Sequence, residues 1–319
     1  MRNFSHGRKC NVGIKPSSGE IMQKLKSSKQ MGLLPDMEIP QFMKRKVGTN
    51  EAKIDIRHCD NLELMAEIKD NIVDLIYCDV LYGTGKKFKD YQDLKPKRGI
   101  IESHYIPRIK EMHRILKDTG SIYLQMDTRI NHWLRCILDD IFGYDRFLNE
   151  ISWCYDTGGR SRTRYPDKHD IILFYSKSKR YIFNSDNIRI QGNSGFDGCL
   201  GGKQGIDKDG RRFYDKKIKE KYYRYYYDVG KIPESWWKDI KPIHSHGSER
   251  NGYNTQKPKA LLERIIKASS NEGDLVADFY LGSGTTAEVC KDLGRNFIGC
   301  DIEKRAVEIS KKRLMLDDI

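Results

Sequence analysis

Asp278-Phe279-Tyr280-Leu281-Gly282-Ser283-Gly284-Thr285-Thr286 is the stretch on which the architecture turns. It reads as the close of a strand over 275–280, a tight turn, and the opening of a helix over 285–293. Gly282 and Gly284 let the backbone approach a ligand at the helix N-terminus, where unpaired N–H groups converge. Nineteen residues after Gly282 the next strand, 296–300, ends in Asp301. A carboxylate at the tip of that second strand is where a nucleotide-binding sheet holds ribose hydroxyls. A tight βα turn in any α/β protein could carry the glycines, but Asp301 in this place favours a nucleoside site.

Only residues 302–319 follow Asp301, too few to finish a doubly wound sheet, so the remaining strands are expected from upstream. That order is permuted relative to an ordinary dehydrogenase, whose fingerprint precedes the strands it organises. The third glycine of a pyrophosphate fingerprint is replaced by Ala287. A nucleoside without phosphates, S-adenosylmethionine, fits better than NAD.

The upstream rhythm supplies the strands. Ile72-Val73-Asp74-Leu75-Ile76-Tyr77-Cys78 is a short apolar run ending at Asp79, the pattern of a buried parallel strand. Ile106, Ile109, Met112 and Leu116 recur at helical spacing with Pro107 near the start, and a strand over 121–126 follows. A helix on Ile130, Trp133, Leu134, Ile137, Leu138 and Ile141 precedes strands at 150–154 and 171–175; a helix over 260–269 leads into the glycine turn. Strand and helix alternate, which predicts the α/β class. Over 179–250 the rhythm breaks into glycines, the run Lys221-Tyr222-Tyr223-Arg224-Tyr225-Tyr226-Tyr227, and Trp236-Trp237. Aromatics interleaved with cations suit nucleic-acid bases and phosphates; equally, they suit a small satellite core with a solvated face.

The 319 residues carry 58 Lys and Arg against 45 Asp and Glu, a formal net charge of +13, the footprint of a polyanion partner. At 38% hydrophobic and 32% charged residues the composition is globular rather than disordered. No apolar run approaches the roughly 20 residues of a membrane helix and residues 1–50 show no signal-peptide core, so a cytoplasmic protein without membrane partners is expected. The eight cysteines show neither Cys-x-x-Cys nor zinc-like His spacing, which predicts reduced, mostly core thiols and no metal.

Asp79-Val80-Leu81-Tyr82-Gly83-Thr84-Gly85 sits at the carboxyl end of the first strong strand, where open α/β sheets place their sites. With Asp60-Asn61 before that strand, Gly252-Tyr253-Asn254-Thr255-Gln256-Lys257-Pro258 leading to Leu261-Leu262-Glu263-Arg264-Ile265-Ile266, and the glycine turn last, the sequence resembles the amino-methylating DNA methyltransferases of the permuted (β) class, the N6-adenine/N4-cytosine enzymes of restriction–modification systems. The resemblance spans roughly residues 54–314. It implies a Rossmann-like, S-adenosylmethionine-dependent methyltransferase fold with a mixed sheet and a target-recognition insert. The implied division is a basic arm (1–50), a catalytic half (51–178), a target-recognition region (179–250) and a donor-binding half (251–319).

The residue roles it implies are as follows. Phe279, Gly282, Ser283, Gly284 and Thr285 would line the donor with Asp278; Asp301 would hold its ribose, Asp60 would lie near its adenine, and Lys257 would border the same pocket. Asp79 and the Val80 carbonyl would accept hydrogen bonds from the exocyclic amine of a flipped base, and the ring of Tyr82 would stack on it, its hydroxyl having no assigned part. Tyr225, Trp236, Trp237 and Arg250 would contact DNA. Asp at the first position of the motif favours adenine N6 over cytosine N4. Val80 and Leu81 replace the family's two prolines, and no proline precedes the aromatic of the donor turn; a non-catalytic DNA-binding relic is the alternative this leaves open. A pure DNA-binding module would leave Asp79, the glycine turn and Asp301 without a task, and an RNA or protein methyltransferase would lack a reason for the long insert. Duplex DNA is the expected partner, with a cognate restriction endonuclease and a homodimer as further candidates.

Overall fold

The computed structural model describes residues 52–88, 91–156, 161–190, 203–243, 247, 249–253 and 255–316; the basic arm expected at 1–50 lies outside them. An eight-stranded mixed sheet runs through the chain. In sequence its strands are β1 (Ile54–His58), β2 (Val73–Asp79), β3 (Leu116–Met126), β4 (Phe147–Cys154), β5 (His169–Ser176), β9 (Trp236–Trp237), β10 (Leu275–Asp278) and β11 (Asn296–Asp301). Three others, β6 (Lys203–Ile206), β7 (Arg212–Ile218) and β8 (Lys221–Tyr226), form a separate antiparallel sheet.

In space the large sheet is ordered β1-β11-β10-β2-β3-β5-β4-β9. The first five strands are parallel, and β5 is antiparallel to both neighbours. The permuted order expected from the position of the glycine turn is therefore present: the late strands β10 and β11 sit between the early strands β1 and β2. β2 is buried along nearly its whole length because it is covered on both faces. Ile76 and Cys78 face a core with helices α1 (Asn61–Glu67), α2 (Arg98–Ile115) and α3 (Asn131–Phe142); Leu75 and Tyr77 face the opposite core with α4 (Lys259–Ser269), α5 (Thr285–Asp292) and α6 (Lys304–Leu314). The period-2 alternation of the strand thus sorts its side chains into two helix layers.

From β10 the chain crosses to β11 on one side, and from β2 it crosses to β3 on the other. The sheet order reverses between β10 and β2, and the carboxyl ends of these neighbours, Asp278 and Asp79, lie at the crevice this creates.

Two expectations are corrected. Pro107 is not near a helix start: α2 begins at Arg98, and Ile101 and Tyr105 extend its buried stripe through Ile109, Met112 and Ile115. Proline removes one ladder bond, and in the disturbed turn the Arg108 guanidinium donates to the His104 carbonyl at 3.1 Å. Leu116, read as helical, opens β3 instead. Within the segment 179–250, part of the chain stays tied to the main body. Ile190 and Lys231 exchange backbone hydrogen bonds at 2.9 and 3.0 Å, closing a neck, and Asn184 already bonds back to the Ala268 carbonyl. After the neck, β9 joins β4 as the outermost strand.

Cys78, Cys290 and Cys300 are buried thiols, whereas Cys136 is exposed; Cys10 and Cys199 lie outside the described residues. Among the described residues no helix is long and apolar enough to cross a membrane, and no group of three His, Cys, Asp or Glu is placed to hold a metal.

Candidate active site

A cavity of about 670 Å³ opens at the crevice between β2 and β10, within the usual range for small-molecule sites. Asp79, Tyr82, Lys257, Phe279, Gly282 and Asp301 all line it, so two motifs about 200 residues apart in sequence converge there.

The glycine turn is built from both its ends. Gly282 and Gly284 adopt left-handed φ values of 53° and 73°. The Gly282 N–H donates to Asp301 Oδ2 at 2.8 Å, and the Glu303 N–H donates to Asp301 Oδ1 at 2.9 Å. Asp301 therefore ties the turn to the tip of β11 while lining the cavity. Asp278 also lines it, but its oxygens accept from the Tyr280 N–H at 3.0 Å and the Thr286 hydroxyl at 2.6 Å. Burial pushes its carboxyl up to about 7, and its two hydrogen bonds hold the turn. Ser283 and Thr285 line the cavity, with Thr285 Oγ1 accepting from Arg313 at 2.8 Å. Gly284 does not line it. A Cβ there would lie 2.6 Å from Ser310 Oγ and 3.0 Å from Ser310 Cα, so this glycine is required by close packing against α6.

Asp60 caps α1 through the Leu62 N–H at 2.8 Å and pairs with Arg108 at 2.8 Å, both at the cavity wall. Beside them His104 Nε2 lies 3.0 Å from the Tyr280 hydroxyl. Burial, assisted by Arg108, pushes that imidazole down to about 4, so it is neutral at pH 7.

On the other wall, Asp79 is held from both oxygens. The Tyr82 hydroxyl lies 2.9 Å from Oδ1, and Lys257 Nζ donates to Oδ2 at 2.5 Å. Burial raises the Asp79 pKa and the Lys257 cation opposes that rise. Lys257, expected only to border the donor, is thus the counter-ion of Asp79. The Tyr82 hydroxyl, to which the sequence reading gave no part, also lies 2.7 Å from Asp170 Oδ2.

Asp170, Gln125 and Tyr155 escaped the sequence reading. Asp170 is 5% exposed at the start of β5, and Gln125 is fully buried in β3. The one available signal was a polar residue inside each apolar strand, since buried polar groups require partners.

The loop after Asp79 is held without the two prolines. The Val80 N–H donates to the Gln125 carbonyl at 3.0 Å, and the Tyr105 hydroxyl donates to the Leu81 carbonyl at 2.9 Å. Asp93 accepts from the N–H groups of Gly83 and Thr84 at 3.0 and 2.7 Å. Among the described residues no hydrogen bond from the Leu81 N–H occurs. Leu81→Pro is therefore expected to change thermal stability by less than about 1 kcal/mol, whereas Val80→Pro loses a buried bond worth about 1 kcal/mol. Denaturant melts of the two variants check this; equal losses would show that the loop is not held as described.

None of the four residues expected to touch DNA lines the cavity. Tyr225 in β8 stacks on Tyr214 at 5.1 Å between centroids. Trp236 is 52% exposed on the edge strand β9 with Lys238 Nζ 5.3 Å from its ring, and Arg250 is exposed. Trp237 is a correction: it is 6% exposed in the core beneath Arg264, so it packs the sheet and offers no face to DNA.

Comparisons with known proteins fall on the same span. Residues 73–312 match the family model for DNA methylases of the N6/N4 type. The type II methyltransferase M.HpaI of Haemophilus parainfluenzae is 34% identical over 260 residues, covering 80% of this chain and 73% of that protein. The DNA adenine methyltransferase YhdJ of Escherichia coli (strain K12) is 33% identical, covering 83% of both. Among solved structures, the PvuII DNA methyltransferase (cytosine-N4-specific) superposes with a TM-score of 0.59 at 15% identity, covering 84% of this chain and 88% of that one.

Proposed function

The chain belongs to the DNA methylase family of N6/N4 methyltransferases, and we propose that it transfers a methyl group from S-adenosylmethionine to the exocyclic N6 of an adenine flipped out of duplex DNA. The observation that carries this reading is the convergence of Asp79 and the glycine turn with Asp301 on one cavity at the reversal point of the sheet.

The residues fit the donor. Asp301 presents a carboxylate beside the turn for ribose hydroxyls, and Asp60 stands at the wall where the adenine of the donor would lie. When bound, S-adenosylmethionine supplies an electrophilic methyl on its sulfonium. The amine of adenine is a poor nucleophile because its lone pair is delocalised into the ring. Asp79, and the Val80 carbonyl beside it, accept its N–H bonds, which localises electron density on nitrogen and orients it for in-line attack. Burial strengthens this interaction and raises the Asp79 pKa, while Lys257 opposes that rise and favours the ionised carboxylate. The ring of Tyr82 stacks on the base and offsets the few kcal/mol of unstacking that flipping costs. Adenine is favoured by Asp at the head of the motif and by the similarity to YhdJ.

Residues 179–250, with exposed Tyr222 and Tyr223 on β8 and exposed Trp236 at the sheet edge, form the target-recognition region in this reading. Similarity to type II methyltransferases supports a setting in which a cognate endonuclease is the partner. DNA affinity is expected to fall steeply with salt, because binding through Lys and Arg releases counterions.

Base-resolution methylation sequencing of DNA from a methylation-free host expressing the chain tests the proposal. N6-methyladenine within one short sequence is expected. N4-methylcytosine would overturn the choice of base, and unmodified DNA would overturn the activity.

A further inference from the structure

Three hydroxyl and amide groups, those of Tyr82, Tyr155 and Gln125, converge on the carboxylates of Asp79 and Asp170 beside the cavity, and their protons do not suffice for every contact. Asp170 Oδ2 lies 2.7 Å from the Tyr82 hydroxyl and accepts from Gln125 Nε2 at 2.9 Å; its Oδ1 accepts from the Tyr155 hydroxyl at 3.0 Å. Gln125 is itself held by the Tyr77 hydroxyl, which donates to its Oε1 at 2.8 Å, so the amide nitrogen is aimed at Asp170. Asp79 Oδ1 lies 2.9 Å from the same Tyr82 oxygen. A phenol carries one proton and can donate to one carboxylate at a time. Its choice decides whether Asp79 Oδ1 is occupied or open to a substrate amine.

We propose that Asp170 is a positioning residue for methyl transfer: it is the alternative acceptor of the Tyr82 hydroxyl, so that Asp79 can release an oxygen to the amine of the target base. This rests on the reading of Asp79 given above. When the amine arrives at Asp79, the Tyr82 proton turns to Asp170, which is already buried, already desolvated and 2.7 Å away. No bond in the protein is left unmade by the exchange. Without an acceptor at position 170, the hydroxyl has only Asp79 to donate to and competes with the substrate for it. The ring of Tyr82 is held in place by the same contact, which links stacking of the base to the readiness of Asp79.

Charge gives the arrangement a second signature. Asp79 faces Tyr77 and Cys78 from its own strand, Tyr82 from the loop, Asp170 from β5, Lys257 from the segment before α4, and Asp278 from β10. Burial is the main cause that raises the Asp79 pKa, Lys257 lowers it, and the Asp170 charge raises it. Ionised Asp79 is the active form, so the rate is lost as pH falls through its pKa. A neutral acceptor at 170 lowers that pKa and moves the acid limb to lower pH.

The test uses the full-length protein, S-adenosylmethionine and duplex DNA carrying the methylated sequence, in single turnovers across pH 5 to 9. Asp170→Ala is expected to lower the rate at least tenfold with donor affinity unchanged within about twofold. Asp170→Asn keeps an acceptor oxygen and is expected to hold the plateau rate within about threefold while its acid limb moves to lower pH. Asp170→Ala combined with Tyr82→Phe is expected to recover to the level of Tyr82→Phe alone, because the competing hydroxyl is gone; a merely structural Asp170 would give no such recovery. A wild-type rate in Asp170→Ala, or a double variant as slow as Asp170→Ala, overturns the inference. If Asp170→Ala does not fold, Asp170→Asn decides, and an unmoved acid limb overturns it. A wild-type protein that methylates no DNA overturns the reading of Asp79 itself, and this inference with it, whereas an active wild type with indifferent Asp170 variants overturns this inference alone.

Discussion

Asp79→Ala is expected to slow methyl transfer to duplex DNA by about a thousandfold while donor affinity stays within about threefold, since removing one preorganised partner of a reacting group typically costs about 10²–10³ in rate. The carboxylate meets the amine and not the donor, so the loss falls on the chemical step and leaves binding of the small molecule alone. Asp79→Asn separates two contributions. It keeps an acceptor oxygen but gives up the charge that pairs with Lys257 at 2.5 Å, so an intermediate loss is expected. Single-turnover transfer from methyl-labelled donor measures both variants, with calorimetry for donor binding. A wild-type rate in Asp79→Ala would mean that the amine is activated elsewhere and that the motif is only a strand end.

The same geometry fixes the sign of the pH dependence. Burial holds the Asp79 pKa above that of a free carboxylate, with Lys257 opposing. Activity is therefore expected to be full well above that pKa and to fall on acidification at a higher pH than a solvent-exposed aspartate would give.

The parts of this fold that sequence made legible are those in which neighbouring residues carry the signal. The turn at Gly282 and Gly284 needs left-handed backbone, and glycine is the residue that adopts it freely. The glycine turn comes after the Asp79 motif in sequence, which is the permuted order, and β10 and β11 do insert between β1 and β2. Asp79 and Asp301 could be placed because both end strands, and strand ends are where open sheets gather their sites.

What was not legible depends on pairings that sequence does not print. Asp170 and Gln125 meet because β5 runs antiparallel to β3 with Gln125 opposite Ile172, and no local pattern announces that register. Asp93 looks like an ordinary loop aspartate until its carboxylate is seen to gather the N–H groups of Gly83 and Thr84. The Trp236-Trp237 pair is a different case, because adjacent residues in a strand point to opposite faces. Once the pair is a strand, only one ring can face outward, and β9 turns Trp237 into the core.

Asp301→Ala is expected to weaken donor binding about a hundredfold while leaving the rate at saturating donor within a few-fold and DNA affinity unchanged. Two separate losses add here. The variant removes the acceptor offered to the ribose, and it leaves the N–H groups of Gly282 and Glu303 without the oxygens they donate to at 2.8 and 2.9 Å. Each unmade bond at a largely buried position is worth about 1–3 kcal/mol, and about 2.7 kcal/mol corresponds to a hundredfold change in affinity. Asp301→Asn keeps one acceptor oxygen for one of these N–H groups, so an intermediate loss of about tenfold is expected. A donor lacking the 2′-hydroxyl separates the contributions by a double-mutant argument. If Asp301 holds the ribose directly, that analogue binds wild type more weakly than S-adenosylmethionine does, yet both bind Asp301→Ala alike. If Asp301 acts only by shaping the turn, the analogue is penalised equally in both proteins. Unchanged calorimetric affinity in Asp301→Ala would remove the nucleoside site from this turn and leave the carboxylate as a brace between the Gly282 turn and the tip of β11.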